Sequence, residues 1–144
     1  MKNGKFLIIE VLFFAVTLAV FCPVIAETHD IVMKNTSYNE MVSETIKIYV
    51  RNTIMGKAIA TYAILAILYY IIVRKIGILF VCSWITAAGL CGLAESWLSY
   101  DYFFGSTIVG AITIACTFVA YIVVAIIYLI KYFYKRYRMR KGGE

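Results

Sequence analysis

Charge is scarce in this chain, and proline and histidine are almost missing. Only 15% of the 144 residues are charged, with one proline and one histidine. A soluble domain is typically about half apolar and a quarter charged. Here 63% of residues are hydrophobic and the mean hydropathy is +0.86, which excludes an ordinary soluble enzyme. One proline and nine glycines exclude collagen-like and low-complexity chains. Catalytic constellations are also missing. His29 has no carboxylate–histidine spacing of a zinc site around it. There is no glycine-rich phosphate loop, nucleophile elbow or CxxC pair. The four cysteines, Cys22, Cys82, Cys91 and Cys116, lie inside apolar segments, where a free thiol acts as a small hydrophobe. The chain is therefore not expected to be an enzyme, nor to hold a metal.

What is present is apolar length. A bilayer core needs roughly 20 apolar residues in a helix, and four stretches qualify: 6–26, 54–73, 76–98 and 107–130. The pattern predicts an all-α integral membrane protein. Between the stretches lie a polar segment, 27–53, the dipeptide Arg74–Lys75 and a short aromatic loop, 99–106. The net charge of +6 would suit nucleic acid in a soluble protein, but its placement argues otherwise. Six cations (Lys131, Lys135, Arg136, Arg138, Arg140 and Lys141) fall in the tail, 131–144. If each stretch spans once, these join Lys2, Lys5, Arg74 and Lys75 on one side, ten of the fourteen cations. The positive-inside rule makes that side cytoplasmic, and no direct nucleic-acid binding is expected.

The first stretch reads in two ways. Lys2 and Lys5 form a basic n-region, residues 11–21 an apolar core, Pro23 is expected to break the helix, and Val24 and Ala26 suit the −3 and −1 positions of a cleavage site. Cleavage after Ala26 is expected and would leave three spans; the alternative reading is an uncleaved first transmembrane helix. Phe21 is too bulky before Cys22 for lipid attachment. Glu10 suits neither reading well unless it sits at the interface. Glu95, three residues from the end of its span and beside Ser96 and Trp97, is expected at the interface. The competing reading of Glu95 is an intramembrane proton or ion site.

Small residues form helix faces. Ala88, Gly92 and Ser96 follow Trp84 at four-residue steps, Gly56, Ala60, Ala63 and Ala66 recur in the second stretch, and Ala111 and Ala115 in the fourth. Such faces let backbones approach closely. The sequence thus predicts a tight hairpin over 54–98, and subunit packing through Gly56, Ala60, Ala88, Gly92 and Ser96. Residues 43–50 can extend the second span outward as helix, with Glu44 and Lys47 as an i, i+3 pair worth a few tenths of a kcal/mol.

The run Ile54-Met55-Gly56-Lys57-Ala58-Ile59-Ala60-Thr61-Tyr62-Ala63-Ile64 resembles the entry into the first membrane helix of the major pilins of bacterial type IV secretion and conjugation systems. Arg74–Lys75 matches their short basic loop, and Ala88-Gly89 with Gly92-Leu93-Ala94 their glycine-bearing second helix. The resemblance covers about residues 44–98. It implies a signal peptide, an inner-membrane subunit, helical stacking into a pilus with copies of itself beside other secretion components, and bound phospholipid near Arg74 and Lys75. Cations at a hairpin tip independently attract anionic lipid, about 1 kcal/mol each. The further span 107–130 and the basic tail depart from the family pattern and suggest a specialised or membrane-resident member. A holin-like pore former and a small transporter or immunity-type membrane protein are the alternatives.

Overall fold

The computed structural model describes residues 3–35, 42–99 and 105–141. All regular structure among them is helical: α1 (Asn3–Asn35), α2 (Glu44–Tyr49), a π-helical segment (Val50–Met55), α3 (Gly56–Val73), α4 (Ile78–Ser99) and α5 (Gly105–Lys141). The α2, π and α3 pieces run on as one helix, Glu44–Val73, so four helices are long and apolar enough to cross a membrane. Apolar residues all round a helix, rather than along one stripe, are what a lipid-facing or buried helix requires. The exposed Ile64, Ile67, Ile71, Ile122 and Ile126 fit that surrounding.

The helices outrun the apolar stretches that predicted them. Much of the polar 27–53 segment is helical, as the end of α1 and as α2, while residues 36–41 lie outside the described part. The tail is helical too, because α5 continues to Lys141. At 1.5 Å per residue the 37 residues of α5 reach about 55 Å, well beyond a hydrocarbon core of about 30 Å. Residues 100–104, most of the expected 99–106 loop, also lie outside the described part.

Pro23 does not break α1; it lies inside the helix. Its solvent- or lipid-facing ring removes one backbone hydrogen bond. Ending a helix among apolar neighbours would leave several backbone groups unpaired, a larger penalty. Packing holds the helix on both sides of the proline. Phe13, Thr17, Phe21, Val24, Thr28 and Val32 are all buried, and their steps of three and four residues place them on one face.

Helix α4 is the centre of the bundle, with α1 along one flank and α5 along another. Helices α1 and α4 run parallel: Phe13 stacks on Phe80 (5.2 Å between centroids) and His29 meets Trp97 (5.2 Å). Helix α5 runs antiparallel to α4 through very close backbones. A Cβ on Gly89 would collide with the Thr117 side chain, and one on Gly92 would stand 2.8 Å from Thr113 Cγ2. Tyr121 adds a hydrogen bond to the Cys82 carbonyl at 3.1 Å. Three hydroxyls are satisfied within their own helix: Thr17 donates to the Phe13 carbonyl, Ser83 to Leu79, and Thr113 to Val109.

The expected tight α3–α4 hairpin takes a different form. These helices meet through large rings, Tyr69 on Phe80 (4.7 Å) and Tyr62 against Trp84 (5.2 Å), which hold the backbones apart. The hydroxyls of Tyr62 and Tyr69 are buried, that of Tyr62 beside the Thr17 and Ser83 hydroxyls; ring packing holds both tyrosines. The link between the helices turns at Arg74, whose φ of 52° is left-handed and whose N–H bonds the Tyr70 carbonyl at 2.8 Å. That conformation suits glycine, whereas a residue with a Cβ is strained there by roughly 1 kcal/mol. Arg74→Gly is therefore expected to leave the fold intact and raise stability by about 0.5–1 kcal/mol in a detergent unfolding titration. A loss of stability would instead give the Arg74 side chain a structural role.

Candidate functional site

The N-terminal part of α1, the 74–77 link and the C-terminal half of α5 come together at one end of the bundle. Between them is a cleft of about 790 Å³, within the range of ligand-binding cavities, roughly 300–1,000 Å³. Three lysines line it: Lys75 from the link, and Lys131 and Lys135 from α5. Lys131 and Lys135, one turn apart, continue the face of Val124, Ile127 and Tyr128 that forms the apolar wall. Lys75 packs its ammonium over the Phe6 ring, 4.7 Å from the centroid, a cation–π contact that holds the side chain at the rim.

Glu10 forms the floor. It is only 3% exposed, and its carboxyl faces the backbone N–H groups of Gly77 and Phe80 at the start of α4. A helix N-terminus carries unpaired N–H groups and a partial positive charge, which accounts for an acid at this depth. Gly77 is required by the close approach: a Cβ there would overlap the Glu10 carboxyl. Even so, Glu10 Oε1 is buried with no hydrogen-bond partner.

A separate, smaller apolar slot of about 230 Å³ lies about one turn farther along the same α1–α4–α5 seam. Phe14 and Leu18 of α1, Gly89 and Leu93 of α4, and Ile114 and Phe118 of α5 line it. A basic mouth followed by an apolar slot is chemically matched to a phosphate bearing hydrocarbon chains.

A second polar cluster lies toward the opposite end. Arg51, in the π-helical segment, makes a bidentate ion pair with Glu95: Nε donates to Oε1 at 3.0 Å and to Oε2 at 3.1 Å, and Nη2 also contacts Oε1. The Gly56 N–H bonds the Arg51 carbonyl, the i→i+5 pattern that widens this turn; such π segments are frequent at functional positions. Glu95 thus has a charged partner that the sequence reading did not give it. Both side chains are about two-fifths exposed, 42% and 37%, so the pair lies at the surface of the bundle rather than within it.

The sequence-derived residues are dispersed. Lys75 lines the cleft, whereas Arg74 is exposed in the turn. Gly92 faces Thr113, and Ser96 is buried beside Gly110, so both serve the α4–α5 contact within this chain. Gly56 is half-buried, while Ala60 and Ala88 are exposed. Val24 is buried in α1 and Ala26 is exposed. Lys131, Lys135, Glu10 and Arg51 were missed as site residues. Reading α5 past residue 130 as helix would have placed both lysines on the face of Ile127 and Tyr128. Comparison with known proteins finds no family model, curated protein or solved structure that matches this chain.

Proposed function

We propose that this protein is a non-enzymatic, membrane-resident subunit of a bacterial inner-membrane assembly, which binds phospholipid phosphate in the Lys75–Lys131–Lys135 cleft. The observation that carries the reading is the cleft itself: three cations line it, and a separate apolar slot lies farther along the same helix seam. The cations gather at the end of the bundle that the positive-inside rule makes cytoplasmic, where anionic lipid is attracted.

Two further features shape the proposal. The resemblance of residues 54–64 to type IV secretion pilins supports a role as an assembling subunit beside secretion components. Helix α4, the counterpart of the pilin's second helix, is already covered by α1 and α5, which favours a subunit that stays in the membrane over one stacked into a filament. We also infer that the first helix is retained, since Phe13, Thr17 and Phe21 are buried by helices that would otherwise lose their partner. A transport route is disfavoured by the rings of Phe13, Tyr69 and Phe80, which fill the interior above Glu10.

The test replaces Lys75, Lys131 and Lys135 together by glutamine and weighs the lipid that copurifies with the full chain. Lys2, Lys5 and the remaining tail cations still orient the protein. Copurifying phospholipid is expected to fall several-fold; equal lipid in the two proteins sinks the reading.

A further inference from the structure

The charge in the cleft is of both signs, and a purely anionic ligand satisfies only one of them. Three lysines at the mouth match a phosphate. The floor holds a carboxylate that is 97% buried, with one oxygen lacking any hydrogen-bond partner. A buried acceptor without a partner is costly, and no described cation lies within ion-pair distance of Glu10. A phosphate brought alone toward the floor would be repelled by it. A head group carrying phosphate and a cationic donor a few bonds apart fits both ends at once.

From this juxtaposition of Glu10 with Lys75, Lys131 and Lys135 in one cleft, we infer that the site selects a phospholipid whose head group bears a primary ammonium. The phosphate lies among the lysines, the ammonium donates to the Glu10 carboxyl, and an acyl chain runs along the α1–α4–α5 seam toward Leu18 and Leu93. A primary ammonium is compact and carries hydrogen-bond donors. A trimethylammonium has none. The inference rests on the lipid-binding reading above and adds the identity of the head group.

The experiment measures lipid binding to the full-length protein by native mass spectrometry, using phosphatidylethanolamine, phosphatidylcholine and phosphatidylglycerol with identical acyl chains. The wild type is expected to prefer ethanolamine over choline lipid about tenfold, as for one hydrogen bond to a charged group. Glu10→Gln keeps an acceptor for the Gly77 and Phe80 N–H groups while removing the charge. It is expected to bring the two lipids to equal binding, with glycerol lipid bound at least as well as before. Equal binding of both by the wild type, or an unchanged preference in Glu10→Gln, overturns the selectivity. The triple lysine variant is expected to lose all three lipids; retention there overturns the lipid cleft itself, a separate failure. Soluble phosphoethanolamine at the lipid's concentration is expected not to displace it, because it lacks the chain for the slot. Displacement would make the ligand a soluble phosphate ester and overturn the lipid assignment.

Discussion

Phe13→Ala is expected to lower the stability of the purified protein by about 3 kcal/mol or more in a denaturing-detergent titration. Phe13 is 7% exposed and touches three rings, Tyr69 at 4.8 Å, Phe80 at 5.2 Å and Tyr62 at 5.7 Å. Removing it leaves a void among side chains of α1, α3 and α4 at once, too large for any one neighbour to fill. In lipid the cost comes chiefly from lost dispersion contacts, because hydrocarbon outside the bundle is as apolar as the interior. The variant also tests the fate of the first helix. If residues 1–26 are removed as a signal peptide, the mature protein lacks position 13 and both proteins unfold alike. An intact mass beginning at Met1 together with a destabilised Phe13→Ala protein would establish retention; a mass beginning at Glu27 would restore the signal-peptide reading.

Gly89→Leu is expected to destabilise the bundle by about 1–3 kcal/mol, the range for forcing bulk into a close contact. Its Cβ alone would collide with Thr117, whose hydroxyl is tied to the Thr113 carbonyl at 2.8 Å. Relief then requires moving α5 away from α4, which also strains the Tyr121 bond to Cys82. Gly92→Leu meets Thr113 in the same way and is expected to follow in sign. Ala88→Leu is the control, since Ala88 is exposed on this helix. It should leave unfolding unchanged, and if copies of the chain pack through that face it should reduce crosslinked multimers. Wild-type stability in Gly89→Leu would mean that α4 and α5 do not pack as described.

The helices were legible because apolar runs of this length have few alternatives. Their pairing was not, since a helix that is apolar on every side carries no stripe pointing to a partner. Small residues announce close approach without naming the neighbour: Gly92 and Ser96 suggested a second subunit, yet face α5. Pro23 misled because its rule comes from water, where a broken helix end is easily solvated. Glu10 and Arg51 were overlooked or set aside because each acquires a partner far along the chain, Gly77 and Phe80 for one and Glu95 for the other. Of the basic turn, Lys75 lines the cleft, and its companions Lys131 and Lys135 lay in a segment read as tail.

The parallel pairing of α1 with α4 also sets the order of events during synthesis. The N–H groups that face Glu10 belong to residues made about seventy positions later, which at roughly 5–20 residues per second is a delay of several seconds. Until then α1 carries its acid without those amides, although α3, made in between, can already set Tyr62 and Tyr69 against Phe13. Arrival of α4 supplies the amides. The surroundings of this acid near the chain's start are thus completed only when the third of the long helices begins, not when its own helix forms.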